Sequence, residues 1–176
     1  MKLFFAVLVI GYFGYYAVSY TEWHFIDNLN LIIHEAGHTL FTPFGDKLHT
    51  LGGSLLQILM PFLFVIYFFN REQYYSSTIM LFWVSQNLLN VSIYAGDAVR
   101  MELPLLGGEN TIHDWNHLLE GTGWLKYVTT IEHSFYYSGL VLLLIAAYYS
   151  ISLSITTVKV TASNHVPNKI RNQSYD

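Results

Sequence analysis

Apolar residues fall into four long runs, at 3–20, 53–69, 77–95 and 135–157, and charged residues collect between them. Each run is long enough, or nearly so, for a helix crossing a hydrocarbon core of about 30 Å. The pattern predicts four membrane spans. A fifth apolar stretch, residues 29–44, carries His34, Glu35 and His38 and is ended by Pro43 and Gly45. It either crosses as a tilted helix or enters and leaves on one side. In the long polar connection 96–134, Thr111 with Asp114 three residues on reads as a capping box. The short helix it opens runs to about Glu120 and stops at Gly121. Ile112, Trp115 and Leu119 form its apolar face, suited to the membrane interface, and His113, His117 and Glu120 form the opposite face. The expected fold is all-α, a multi-pass membrane helical bundle with four spans, a short re-entrant helix around His34–His38 and an interfacial helix. It forms one integral-membrane domain over 1–176, with a polar tail from 158.

Composition supports this picture. The chain is 53% hydrophobic and 11% charged, against about 25% charged in soluble domains. Lys2 and the triplet Ala17-Val18-Ser19 imitate a signal peptide, but the first run is long and crowded with aromatics, so a retained anchor is expected. The net charge of -4 is spread over short loops and excludes a nucleic-acid footprint. With residues 29–44 re-entrant, Lys2, Arg71, Lys159, Lys169 and Arg171 share one face and Lys47, Arg100 and Lys126 the other. If the segment crosses, the split is even. The positive-inside rule favours the re-entrant version, in what is expected to be a prokaryotic cytoplasmic membrane.

The chemistry is concentrated in His34-Glu35-Ala36-Gly37-His38. Two histidines four apart project from one helix face and can share a Zn²⁺, while Glu35 can take a proton from the water the metal activates. Three ionisable groups among Leu29, Leu31, Ile32, Ile33, Leu40 and Phe41 are expensive to bury without a partner. Gly37 suits either close helix packing or the approach of another backbone to the metal. The chain has no cysteine, so the remaining ligand must be His or a carboxylate.

A catalytic zinc takes three protein ligands. Asn87, Asn90, Tyr94 and Asp97 follow helical spacing and form one polar stripe facing the bundle interior, which makes Asp97 the first candidate for the third. Its alternative is an ion pair with Arg100. His113 is the rival ligand, and His117, four residues on, is a weaker one. Asp114 is explained by capping, although a carboxylate orienting a ligand histidine would also suit it. Asn87 and Asn90 are candidates for binding a substrate backbone or for interhelical hydrogen bonding, and Gln57 for structural bonding. His24, His49, His133 and His165 occur singly and are expected at the surface.

With His34, Glu35 and His38 in a membrane helix and Asp97 near the end of a later span, residues 29–98 resemble the site-2 protease clan of intramembrane zinc metalloproteases. The resemblance implies cleavage of membrane or membrane-proximal peptides, with Zn²⁺ on His34, His38 and Asp97 and with Glu35 as general base. The clan has Asp-Gly after a Pro-containing segment, whereas this chain reads Tyr94-Ala95-Gly96-Asp97-Ala98. Two further functions stay open: a zinc hydrolase acting on a lipid-linked amide or ester, and a non-enzymatic membrane adaptor whose closed zinc site uses His113. Bilayer lipid and a membrane protein or peptide are the expected partners.

Overall fold

The computed structural model describes residues 1–106 and 111–164, with side chains as far as 156. It is all-helical among these residues. The elements are α1 (Lys2–Val18), α2 (Phe25–Phe41), α3 (Asp46–Asn70), α4 (Tyr74–Gly96), α5 (Asp114–Thr122) and α6 (Val128–Asn164). Single 3₁₀ turns occupy Thr42–Phe44 and Leu125–Tyr127.

Local sequence explains the breaks. Asp27 Oδ2 accepts the His24 N–H at 2.8 Å, which caps the start of α2. Pro43 opens the following turn, and Gly45 leaves it at φ 94°, a conformation that costs a glycine little. The interfacial helix differs from its expected bounds. Thr111 donates to Leu106 O instead of capping, and His113 is the cap residue, its Nδ1 accepting from Asn116 N at 3.3 Å. The helix passes Gly121 and ends at Gly123, where φ is 71°. Trp115 and Leu119 are buried as expected, but Ile112 precedes the helix and is exposed.

α4 is the central helix, buried along most of its length against α6 and α3. Small residues permit the close approaches. Gly139 of α6 lies on Leu89 and Ser85 of α4, and the Ser85 hydroxyl donates to Gly139 O at 2.8 Å. Gly37 of α2 meets the backbone of Gly52 and Gly53 of α3, so Gly37 serves close packing and leaves no groove beside α3.

The helix directions follow from contacts. Tyr75 at the start of α4 donates to Lys2 O at 3.0 Å, and Phe13 stacks on Phe82 at 5.4 Å, so α1 and α4 run parallel. The Ser77 hydroxyl donates to Val65 O at 2.9 Å, which sets α3 antiparallel to α4. Val128 packs near Ala95 and Ala98, and Ala146 near Phe13 and Phe82, so α6 returns alongside α4. The end of α1, the start of α3 and the end of α4 therefore share one end of the bundle. α2 joins the first two: Asn30 near its start meets Trp83 and Gln86 at the middle of α4, and His38 near its end meets His49 near the start of α3, so α2 runs from mid-bundle to that end. Lys2, Arg71 and the end of α6 lie at the opposite end; Lys169 and Arg171 fall outside the described residues.

Asp46–Asn70 and Leu125–Thr156 are long and apolar enough to cross a membrane, and Lys2–Val18 is a shorter apolar helix. α4 covers the run 77–95, but Ser85, Gln86, Asn87, Asn90 and Ser92 dilute its apolar character. Large apolar side chains cover the outside of the bundle, among them Phe4 and Leu8 of α1, Phe62 and Phe64 of α3, and Val141, Leu144 and Tyr148 of α6.

Candidate metal centre

His34 and His38 lie one turn apart on α2 with ring centroids 4.9 Å apart. The Nε2 atoms converge on one carboxylate oxygen, Asp114 Oδ2, at 3.0 Å from His34 and 3.2 Å from His38. Two ligands about 2.0–2.1 Å from a tetrahedral zinc lie roughly 3.3 Å apart, so the spacing needs little change to admit the ion. These three residues form the described cluster able to hold a metal.

The tautomers suit ligation. His38 Nδ1 is 2.9 Å from His49 O, a carbonyl that can only accept, so Nδ1 carries the proton and Nε2 presents a lone pair. His34 Nδ1 is 3.0 Å from Gln57 Oε1 and takes the same form. A Cβ on Gly53 would strike both Nε2 atoms, so a glycine of α3 leaves room for the rings.

Asp114, the first residue of α5, is held by its neighbours. Its N–H donates to the Tyr94 hydroxyl, which donates in turn to Asp114 Oδ2, both at 3.1 Å. Trp115 Nε1 donates to Ser54 Oγ at 3.1 Å, and Asn116 Nδ2 to Ala98 O at 2.8 Å, tying α5 to α3 and to the end of α4. Burial raises the Asp114 carboxyl, but when His34 and His38 carry a proton on Nε2 as well as Nδ1, their hydrogen bonds and charge outweigh it and hold the group well below the usual carboxylate range.

The cluster borders a cavity of about 610 Å³. Glu35 is exposed on α2 and lines this cavity with His34, His38 and Asp114, beside the apolar Leu31, Ile93, Leu105 and Ile112. A cluster able to hold a metal, an exposed carboxylate and open space thus adjoin one another.

Asp97 does not join the histidines. Its carboxylate accepts Glu102 N–H at 3.1 Å and Leu103 N–H at 2.9 Å, and Arg100 Nε lies 3.8 Å away, so its oxygens staple the chain leaving α4. His113, the rival, is buried with Nε2 3.4 Å from Asp97 Oδ2 and its ring against Tyr94. Burial pushes its pKa down, against the pull of Asp97 and Asp114. His117 pairs with Asp46 at 3.1 Å on the exposed side of α5. Of the two asparagines, Asn87 is fully buried and donates to Trp83 O at 2.9 Å, away from the cavity wall. Asn90 lines the cavity, but its amide is committed to Asp27 and Gln57. His49 and His24 are not free surface residues: the first orients His38 through its carbonyl, and the second packs on Tyr16. His165 lies outside the described residues. Capping gives Asp114 a sufficient local role in the sequence, and the signal for more is that a carboxylate there also suits a ligand histidine. Comparison with protein-family models, with curated proteins and with solved structures gives no match for this chain.

Proposed function

We propose that this protein is a membrane-embedded zinc peptidase with His34, His38 and Asp114 as metal ligands and Glu35 as general base. One observation carries the reading: two imidazole Nε2 atoms each lie within 3.2 Å of one carboxylate oxygen on a cavity wall, a donor set able to hold a metal ion. Bound there, Zn²⁺ supplies Lewis-acid polarisation of the scissile carbonyl and acidifies water. Glu35 accepts the proton of the attacking water and returns it to the leaving amine. Tyr94 holds the Asp114 carboxylate in place through the two hydrogen bonds already described.

The membrane setting is part of the proposal. α1, α3, α4 and α6 cross, and α2 does not: it runs from the middle of the bundle, where Asn30 meets Trp83 and Gln86, to the end where α3 begins. α5 lies at the interface above it. The apolar exterior of α1, α3 and α6 supports this arrangement, since soluble monomers rarely leave such continuous patches uncovered. A peptide is favoured over a structural zinc role because structural sites are closed, whereas this one borders open space and His113 is turned to Asp97. The likeness to site-2 proteases supports the reading through its first motif alone.

The test uses the full chain in lipid nanodiscs with a library of transmembrane peptides. Glu35→Gln should retain one zinc per chain and lose turnover by about 10²–10⁴-fold, the range a general base contributes. Undiminished cleavage by that variant overturns the mechanism. Products from bilayer lipids but none from peptides would assign the lipid-linked amide or ester.

A further inference from the structure

We propose that Asp27, a buried carboxylate outside the metal cluster, is the positioning residue that fixes His34 as a ligand, acting through Asn90 and Gln57. The inference rests on the metal-site reading above and extends it. Asp27 is 2% exposed, and its partners are donors rather than cations. Tyr16 OH donates to Oδ1 at 3.0 Å, and the His24 N–H donates to Oδ2. Gln86 Nε2 and Asn90 Nδ2 also donate to Oδ1, at 2.8 and 3.1 Å.

The directions of these bonds are forced. The Trp83 indole can only donate, and it donates to Asn30 Oδ1 at 2.9 Å. Asn30 therefore turns its Nδ2 to Gln86 Oε1 at 2.8 Å, and Gln86 turns its Nε2 to Asp27. Asp27 Oδ1 therefore accepts from Gln86, and Asn90 donates to the same oxygen, which leaves Asn90 Oδ1 to accept from Gln57 Nε2 at 2.7 Å. Gln57 then offers only its carbonyl oxygen to His34 Nδ1, at 3.0 Å. An acceptor there demands a proton on Nδ1 and leaves the Nε2 lone pair toward His38 and Asp114. The orientation of Asn90 and Gln57 thus descends from one carboxylate. An apolar side chain of similar size at residue 27 removes that acceptor, and Asn90 and Gln57 could then turn over. Gln57 would present its NH₂ to His34 and favour the tautomer that cannot bind metal through Nε2.

The experiment measures Zn²⁺ affinity of the full chain in nanodiscs by competition with a chromophoric chelator, beside the melting midpoint of the zinc-free protein. Asp27→Leu removes the acceptor and should weaken zinc by about 10–100-fold, as loss of an outer support to a ligand histidine does. Combining it with Gln57→Glu places a carboxylate next to His34 Nδ1, with Asn90 free to turn and donate to it. Affinity should return to within about threefold of wild type. Wild-type affinity in Asp27→Leu overturns the proposal, and so does a double variant that stays weak. If Asp27→Leu does not fold, Asn90→Leu cuts the chain midway and must itself weaken zinc for the proposal to stand. His34→Ala separates the two levels: if it binds zinc as the wild type does, the metal site is wrong, whereas a failure confined to the Asp27 variants removes only the relay.

Discussion

Two aspartates near neighbouring histidines in this bundle have opposite fates. Asp97 and Asp114 each lie within 3.4 Å of an imidazole nitrogen, and His113 stands beside Asp114 in the chain. Asp97 spends its oxygens on two backbone N–H groups of the turn that follows α4. Asp114 receives its main-chain support through Tyr94 and keeps Oδ2 facing two imidazoles on a cavity wall. The difference shows that a carboxylate's position in a sequence pattern does not decide its role. What decides it is which donors have already claimed its lone pairs.

The contrast can be broken most directly at Asp114. Asp114→Ala should lower zinc affinity by more than about 100-fold, beyond the 10–100-fold typical of supporting residues; chelator competition that shows wild-type binding would remove it from the ligand set. Asp97→Ala should do the reverse. It leaves two backbone donors and His113 without their acceptor, at about 1–3 kcal/mol for each group that stays buried and unpaired, while zinc stoichiometry stays at one per chain. Loss of zinc without loss of melting temperature in that variant would return Asp97 to the site.

Acidification sharpens the comparison by a smaller margin. Because the Asp114 pKa is depressed, the carboxylate remains ionised on mild acidification. Its hydrogen bond raises the pKa of His38, so protons compete with zinc there, and affinity should fall by up to tenfold per pH unit for each proton taken up as pH drops. Release that begins only near pH 4 would instead identify Asp114 as the group that titrates. Least of all, His117→Ala should leave zinc binding unchanged and stability within about 0.5 kcal/mol, because its Asp46 partner is exposed.

The helices and the first half of the site were legible because they depend on local spacing. A separation of four residues aligns His34 and His38 on any α-helix, and Pro43 and Gly45 end that helix by their own backbone limits. The polar stripe of α4 faces the interior, as its helical spacing predicts. Asp114 was not legible, because it meets His34 across 80 residues of chain through an irregular connection that Asp97 itself staples. Its proximity to a helix start offered a sufficient local explanation, and sufficiency at short range hid the long-range contact. Asp27 belongs to no motif in the sequence; in the fold one of its oxygens caps α2 and the other gathers the buried amides. Both carboxylates lie in the first turn of a helix.

The path of α2, which runs from mid-bundle to the end where α3 begins, gives the chemistry a sidedness. Inserted as proposed, the cluster and Glu35 belong to the leaflet nearest Arg100 and Lys126, away from Lys2 and the end of α6. A chelator unable to cross lipid would then strip sealed vesicles of only one orientation, and cut fragments would part company at a fixed depth. One product stays anchored while the other is released on the side from which the water came.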